Sequence, residues 1–375
     1  IYLDFDGHVT PGDYGWTNTP APGEPIVTPP FDLAMGDPDS FNKTELLRIQ
    51  RVWQRVAEAY SPFDVNVTTQ EPPLDKLVKT NTQDNEYGIR CVIGGSSYDW
   101  SNNGAGGVAF VGSFNSDRDV PCFVFPKEIS YAEKTIAAAA IHEVGHTLGL
   151  HHDGIIFPDG SIGEYYIGDG EWGPIMGTGY SSGLVQWSRG EYEGATNTED
   201  DLQIISTYIP YRADDHGNTP QTATPLAGTP LRQSGIIEKN TDVDVFSFTL
   251  PLKSDITLNV DTAPRGATLD TLVKIRGTAP DKAIVLDNPD SLNATYTGTL
   301  PAGTYSISVE GTGKPGVYSD YASLGQYTVT VDVGGHIYPA DPEEPSTPSK
   351  GAFCDFWQRI VAWFQTIFNS LFGWI

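Results

Sequence analysis

HEVGHTLGLHHD, at residues 142–153, carries more chemical information than any other segment of this chain. His142 and His146 are four positions apart, so on a helix they lie one turn apart on the same face and can bind one metal ion. Gly149 can adopt a left-handed conformation that ends the helix and turns the chain back, which brings His152 to the same ion. Because four of the seven histidines fall within this segment, the sequence predicts a hydrolytic zinc site.

The alternative interpretation is a helix end whose histidines are ordinary surface or core residues. A bare HExxH pattern often has that meaning. Here the added Gly149, the third histidine, Asp153 and the downstream Met176 would all have to be placed by accident. His151 adjoins a predicted ligand and is expected to be exposed instead of binding the metal.

The histidine segment and a later methionine together resemble the metzincin zinc metallopeptidases. Their signature is HExxHxxGxxH followed by a methionine turn, and WGPIMG at residues 172–177 contains one of only two methionines in the chain. The resemblance implies the following functional residues: zinc ligands His142, His146 and His152, the general base Glu143 and, as a hydrophobic floor beneath the metal, Met176.

Two further positions relate to branches of this family. Asp153 directly follows the third histidine, as in the adamalysin-type members, where that carboxylate has a structural role. Astacin- and serralysin-type members place a tyrosine two residues after the methionine, whereas Tyr180 lies four residues after Met176. Tyr180 therefore departs from the pattern, and its role as a metal or transition-state partner stays open.

The ligand set determines the expected chemistry. Three neutral imidazoles leave zinc doubly positive, with an open fourth position for water. The metal lowers the pKa of that water from ~15.7 toward ~7. Glu143 would take the proton and pass it to the leaving amine, while the metal stabilises the oxyanion. The predicted function is a zinc-dependent endopeptidase that acts on proteins or peptides.

The net charge excludes some partners and suggests a location. The chain has 22 Lys and Arg against 48 Asp and Glu, a net charge of −26 and a pI near 4.4. Such a surface repels nucleic acid, so we expect no nucleic-acid partner. The acidic excess fits a secreted protein that could also associate with the cell surface. The chain begins at Ile1 in a strand-like sequence without a leader, so we expect that a signal segment has been removed. Cys91 and Cys122 could form a disulfide or remain buried thiols, and Cys354 stands alone.

Periodicity predicts an α/β catalytic domain at residues 1–212 with a twisted, mostly parallel mixed sheet. Three helices are expected. The first spans residues 42–60, the second begins near Ser130 with a capping box formed by Ser130 and Glu133, and the third spans residues 198–208. The region 8–40 is expected to be an irregular loop. In metzincins an edge strand above the zinc pairs with the extended substrate, and the resemblance makes residues 107–114 a candidate for this role by their order in the chain. The alternative is an ordinary sheet strand. Strands are expected at these positions: residues 1–6, 62–67, 90–93, 107–111 and 121–125.

Residues 213–334 show short alternating runs separated by Gly, Pro, Asn and Asp, which predict an all-β sandwich. DDHGNT, DVDVFSF and LPAGTYSISVEG in this region resemble the bacterial pre-peptidase C-terminal (PPC) domain. The resemblance implies an accessory module of secreted peptidases, often linked with substrate or matrix binding.

Acidic clusters suggest structural calcium, which prefers six to eight oxygen ligands. Solvated turns are the alternative, because none of the clusters has EF-hand spacing. The clusters comprise three sets: Asn115, Asp117 and Asp119; Asp159, Glu164 and Asp169; Asp214, Asp215, Asp242 and Asp244.

A Pro-rich linker at residues 335–351 precedes a predicted amphipathic C-terminal helix at residues 352–375. Polar residues interrupt the helix too often for a bilayer span. Two roles remain open: association with a membrane surface, or packing on protein, including a second copy of the chain.

Two alternatives to the endopeptidase remain. One is a surface adhesin or matrix-binding protein with a secondary or inactive protease domain. The other is a zinc amidase that acts on cell-wall peptides. The intact Glu143 and the three histidines argue against an inactive site.

Overall fold

The computed structural model describes residues 1–16, 23–33, 40–101, 104–277 and 282–334. Its α-helices are α1 (Lys43–Ala59), α2 (Glu133–Thr147) and α3 (Asp201–Tyr208). The strands before α3 are β1 (Tyr2–Asp4), β2 (His8–Thr10), β3 (Ile26–Thr28), β4 (Arg90–Ile93), β5 (Gly107–Val108), β6 (Cys122–Val124), β7 (Ile155–Ile156), β8 (Ile162–Gly163), β9 (Trp172–Pro174) and β10 (Leu184–Gln186). The strands after α3 are β11 (Thr224–Pro225), β12 (Leu231–Ile237), β13 (Asp244–Leu250), β14 (Ser254–Thr262), β15 (Thr271–Arg276), β16 (Ala283–Asp287), β17 (Ala294–Leu300), β18 (Gly303–Gly311) and β19 (Gly325–Val333).

The sheet nearest the histidine segment has the order β1-β4-β6-β5. Its first three strands are parallel and β5 is antiparallel at the edge, so the mixed sheet expected from the sequence is present. Because side chains alternate between faces, Cys91 packs in the main core while Val92 joins Phe123 in an aromatic cluster on the other face. Cys91 and Cys122 are in register on neighbouring strands and are both buried free thiols.

Helix α1 begins as its sequence predicts. The side chain of Asn42 accepts hydrogen bonds from the backbone N–H groups of Thr44 and Glu45. The carboxylate of Glu45 in turn accepts from the backbone N–H of Asn42. This reciprocal capping satisfies donors that have no partner within the helix.

Helix α2 begins differently from the prediction. The expected Ser130–Glu133 capping box is wrong, because Ser130 has a φ of 61° and the helix begins only at Glu133. The carboxylate of Glu133 instead pairs with Arg51 and Arg55 of α1, at 3.2 Å and 3.4 Å. Glu133 therefore connects two helices instead of capping the N-terminus of α2, as the local sequence had predicted.

Two other local expectations are also corrected. Residues 62–67 do not form a strand; Phe63 makes one isolated bridge with Tyr211, and Asp64 donates its backbone N–H to the carbonyl oxygen of Pro210. Pro62 has no N–H to donate, which interrupts any ladder at this point. The segment expected to be an irregular loop contains the antiparallel pair β2–β3.

The region after α3 contains two sheets. One has the order β11-β13-β18-β15-β16 and the other β12-β19-β14-β17, with antiparallel pairing throughout except between β11 and β13. Buried and less buried residues alternate along β14 and β19, and both strands contribute to the main hydrophobic core. The short alternating runs expected in residues 213–334 include the sequences of β13, β14, β18 and β19.

Residues 1–334 form one compact unit. The side chain of Gln186 on β10 donates from Nε2 to the carbonyl oxygens of Thr268 and Ala322, at 2.6 Å and 3.1 Å, and accepts from Trp172. The boundary at residues 212–213 stays a prediction. The predicted linker, the C-terminal helix and Cys354 lie outside the described residues. Within the described ranges, no helix combines the length and hydropathy needed to cross a bilayer.

Candidate metal centre

Three histidines converge at the C-terminal end of α2. His142 and His146 project from the helix, and His152 follows the turn at its end. One ligand nitrogen from each lies within 4.8 Å of the others, and the Nε2 atoms of His146 and His152 are 2.9 Å apart. Tetrahedral zinc sites with nitrogen ligands at about 2.0–2.1 Å need this degree of approach.

The other ring nitrogen of each histidine has an oxygen partner. Nδ1 of His142 lies 2.9 Å from the carbonyl oxygen of Ile175, and Nδ1 of His146 lies 2.7 Å from that of Leu150. Nδ1 of His152 lies 3.0 Å from the carboxylate of Glu164. Acceptors at all three Nδ1 atoms place the protons there, which leaves each Nε2 lone pair free for a metal.

Burial keeps these rings neutral. Desolvation lowers the pKa of His142 to about 3 and that of His146 to about 4, and it also lowers the pKa of His152. Neutral imidazole is the form that binds a metal ion. The donor set, its tautomers and its charge state therefore fit zinc.

Glu143 lies next to the three histidines and is almost completely shielded from solvent. It is only 7% exposed, and burial raises its pKa to about 8. A divalent cation nearby would favour the ionised form and counter this shift. A carboxylate with these properties can accept a proton close to neutral pH.

Met176 and Gly149 shape the surroundings of the ligands. Met176 is fully buried, and a Cβ built on Gly145 would lie 2.7 Å from its sulfur, so the methionine packs directly against the helix between the two histidines. Gly149 has a φ of 95°, and its N–H donates to the carbonyl oxygen of His146. This is the left-handed turn that the sequence predicts after α2.

Asp153 connects the ligand turn to the methionine segment. Its backbone N–H donates to the carbonyl oxygen of Met176 at 2.9 Å. Burial, with Coulombic contributions from Glu199 and Glu191, raises the pKa of its carboxyl group to about 7. The neighbouring His151 is exposed and bonds through Nδ1 to Glu199 at 2.7 Å, away from the metal ligands.

Two tyrosines lie near Glu143. Burial and the Glu143 charge raise the pKa of Tyr180, and burial with the Glu164 and Glu143 charges raises that of Tyr165 to about 12. The ring centroid of Tyr165 is 4.3 Å from that of His152. From the sequence, only Tyr180 was considered as a partner of the metal or the transition state. Tyr165 lies in a loop without regular periodicity, so its position after the third histidine was the only feature that could have indicated its place near the site.

One of the predicted acidic clusters brings three carboxylates together. Glu164 binds His152, and Asp119 is paired with Arg90. Among the described residues, the second candidate metal group is Asp214, Asp242 and Asp244.

Glu238 belongs to the same cluster, although the sequence analysis did not include it. It is 2% exposed, and among the described residues the carboxyl group of Asp242 is the hydrogen-bonding neighbour of its carboxylate. Burial raises its pKa to about 9, with Asp242 among the further causes. Burial likewise raises the pKa of Asp244 to about 8. Several buried carboxylates together need protons or a cation.

Comparison with known families supports the metallopeptidase resemblance. Residues 47–153 match the family described as "Metallo-peptidase family M12B Reprolysin-like", and this match confirms the resemblance predicted from the sequence. The matched segment contains all three histidines and Glu143. No curated protein sequence matches the chain.

Several solved structures are similar to parts of the chain. The pre-peptidase C-terminal domain of collagenase from Bacillus anthracis is 14% identical, with a TM-score of 0.25, over 31% of this chain and 100% of that one. PliG, a periplasmic inhibitor of g-type lysozyme, from Salmonella Typhimurium is 18% identical, with a TM-score of 0.21, over 30% and 97%. PliG from Aeromonas hydrophila is 13% identical, with a TM-score of 0.24, over 30% and 95%. The first is a domain of the kind that residues 213–334 resemble in sequence.

Proposed function

We propose that this chain is a secreted, metzincin-like zinc endopeptidase that hydrolyses peptide bonds in proteins. The observation that carries the proposal is the convergence of His142, His146 and His152, each with its Nδ1 held by an oxygen. The family match of residues 47–153 supports zinc-dependent proteolysis. The extracellular location rests on the acidic composition and on the resemblance to modules of secreted peptidases.

Each residue of the site has a distinct part in this proposal. Zinc, when bound by the three histidines, would supply a Lewis acid that polarises the scissile carbonyl and acidifies water. Glu143 accepts a proton from the attacking water and returns it to the leaving amine. Tyr165 and Tyr180 are the candidates for donating a hydrogen bond to the carbonyl oxygen as negative charge develops there.

Strand β5 provides a place for the substrate backbone. It lies at the edge of its sheet, and its neighbouring loop is tied to α2 because the backbone N–H of Gly112 donates to the carbonyl oxygen of His146. An extended peptide that pairs with this edge would be held by main-chain hydrogen bonds. Such pairing aligns a peptide bond without selecting its side chains.

Digestion of casein or gelatin by the purified full chain tests the proposed activity. Cleavage should stop when a zinc chelator is added and return when zinc is restored. The variant His146→Ala should lose both bound zinc and cleavage, while His151→Ala should retain zinc. Binding to matrix proteins without any cleavage would overturn the endopeptidase and favour the adhesin.

We also propose a structural calcium site at Asp214, Asp242, Asp244 and Glu238. The support is the convergence of ligand oxygens from Asp214, Asp242 and Asp244, beside the buried carboxylate of Glu238. Calcium added to zinc-loaded protein should raise the melting temperature, because a ligand that binds only the folded state stabilises it. The shift should shrink in Glu238→Gln and persist in the exposed control Glu193→Gln. The absence of a shift in the wild-type protein would overturn this site.

A further inference from the structure

The methionine segment, residues 172–177, is held in place by a short parallel strand. β9 begins the segment and pairs with β10, and Met176 lies in the connection between the two strands. The backbone N–H of Ile175 donates to the carbonyl oxygen of Gln186 on β10 at 2.8 Å. The carbonyl oxygen of Ile175 is itself the partner of Nδ1 of His142, at 2.9 Å. Ile175 therefore connects β10 to a predicted metal ligand through its two backbone groups.

The side chain of Gln186 is almost completely buried, and it is bonded to the β region (residues 213–334). Its Nε2 atom donates to the carbonyl oxygens of Thr268 and Ala322, at 2.6 Å and 3.1 Å. Its Oε1 atom accepts from the indole N–H of Trp172, the first residue of β9, at 2.9 Å. Loss of such bonds at a buried site leaves polar groups without partners, which is unfavourable. Gln186 therefore ties the strand beside the methionine segment to the β region.

The two carbonyl oxygens belong to loops that are bonded to each other. Thr268 lies between β14 and β15, and Ala322 lies between β18 and β19. The hydroxyl of Thr268 donates to the carbonyl oxygen of Leu324 at 2.6 Å. The hydroxyl of Ser323 accepts from the backbone N–H of Asp270 at 2.8 Å and donates to its carbonyl oxygen at 3.0 Å. The β region therefore presents two acceptors whose separation is fixed.

A second contact between the β region and the rest of the unit leads to a helix instead. The hydroxyl of Tyr321 donates to the carboxylate of Asp200 at 2.6 Å and accepts from the backbone N–H of Leu202 at 2.9 Å. Both partners lie at the start of α3, outside the methionine segment. Tyr321 therefore joins the same two regions as Gln186, also through two hydrogen bonds, but without the connection to His142.

We infer that Gln186 is a positioning residue of the metal centre, through which the docked β region sets the orientation of His142. A carbonyl partner at Nδ1 fixes the direction in which Nε2 of a histidine meets its metal. When the bonds of Gln186 to the β region are lost, β10 and the backbone of Ile175 are free to shift, and the partner of His142 moves with them. Zinc affinity therefore depends on residues 213–334. The inference rests on the zinc site of the proposed function and does not require hydrolysis.

Zinc binding by the full chain with Gln186→Leu tests the inference. Leucine has a volume similar to that of glutamine and forms none of its three side-chain hydrogen bonds. We expect the dissociation constant of zinc to rise about 10-fold, the lower end of the effect of removing an outer partner of a ligand. Competition with a chromophoric chelator measures it. The visible absorption of the cobalt-substituted protein should also change, because it reports the geometry of the ligands.

Tyr321→Phe is the matched control, since it also removes two hydrogen bonds between the β region and the rest of the unit. It should lower the melting temperature and retain the zinc affinity and the cobalt absorption of the wild type. A role of Gln186 in stability alone would lower the melting temperatures of both variants and leave both metal measurements unchanged. Equal zinc affinities in the two folded variants would therefore overturn the inference.

The wild-type chain provides a test that does not depend on the folding of a variant. Because coupling between two equilibria is reciprocal, zinc should stabilise the docked loops if the docked loops favour zinc. Amide hydrogen exchange at residues 266–270 and 320–324 should slow on addition of zinc, and by more than exchange in the edge strand β16. An equal effect in all three segments, or none, would overturn the inference. A wild-type chain that binds zinc without cleaving protein would overturn the proposed function alone, and one that binds no zinc would overturn both.

Discussion

Gly107 lies directly against Glu143: a Cβ built on Gly107 would be 2.6 Å from the Oε1 atom of Glu143. Gly107 begins the edge strand β5, and Glu143 lies on α2. The absence of a side chain at this glycine therefore lets the edge strand approach the proposed general base. The strand proposed to hold the substrate backbone and the carboxylate proposed to transfer protons are therefore packed against each other at Gly107.

We expect Gly107→Val to lower kcat/KM about 100-fold while zinc stays bound, because a displacement of about 1 Å in catalytic geometry can cost that much. Peptide kinetics and the zinc content of the purified variant are the measurements. Gly106→Ala is the control, since its Cβ would meet a methyl group of Ile129 and not the acid. Normal turnover in Gly107→Val would show that Glu143 is free to move aside.

Glu143→Ala should abolish most hydrolysis and retain zinc. In the proposed mechanism the three histidines hold the metal, whereas the carboxylate is needed only for proton transfer, which contributes about 10²–10⁴-fold to rates. Metal analysis and casein digestion of the same preparation separate the two effects. Retention of near-normal turnover would remove Glu143 from the proposed mechanism.

The convergence of His142, His146 and His152 could be predicted from the sequence because their spacing is local. His142 and His146 are related by one helical turn, and Gly149 has the left-handed conformation that its residue type favours. The alternating runs of the β region were recognisable for the same reason, since each strand has its own two-residue period.

Tertiary contacts account for what the sequence did not reveal. Glu133 resembled a capping residue, but its carboxylate forms ion pairs with Arg51 and Arg55 of α1, a helix far away in the sequence. Glu164 looked like a calcium ligand, but the fold places it on Nδ1 of His152. Tyr165 reaches the ligands from the same aperiodic loop. None of these partners lies at a regular spacing from the residue that it contacts.

Removal of the Glu164 carboxylate should weaken zinc binding. Glu164 lies 3.0 Å from Nδ1 of His152, and such a partner orients the ring and raises its basicity as a ligand. We expect Glu164→Ala to reduce zinc affinity about 10- to 100-fold, measured by competition with a chromophoric chelator. The exposed Glu193→Ala serves as control. Equal affinities in the two variants would mean that Glu164 does not support the ligand.

Glu58 should make the stability of the protein depend on pH. It is 1% exposed at the end of α1, where its two oxygens accept from the backbone N–H and the Nε2 of Gln326 at 3.0 Å and 2.7 Å. Burial raises its pKa from 4.5 to about 7. The folded state therefore favours the protonated acid. The resulting stabilisation is complete below pH 4.5 and is lost as the pH rises through 7.

We expect Glu58→Gln to remove this dependence, because its neutral amide has no proton to lose. A shift of this size corresponds to on the order of 3 kcal/mol in the free energy of unfolding. Denaturant unfolding at pH 5 and pH 8 measures it, and the difference between wild type and Glu58→Gln cancels contributions from other titrating groups and from zinc. The stability gained by the variant relative to wild type should be larger at pH 8. Parallel pH profiles for the two proteins would show that Glu58 titrates normally despite its burial between α1 and β19.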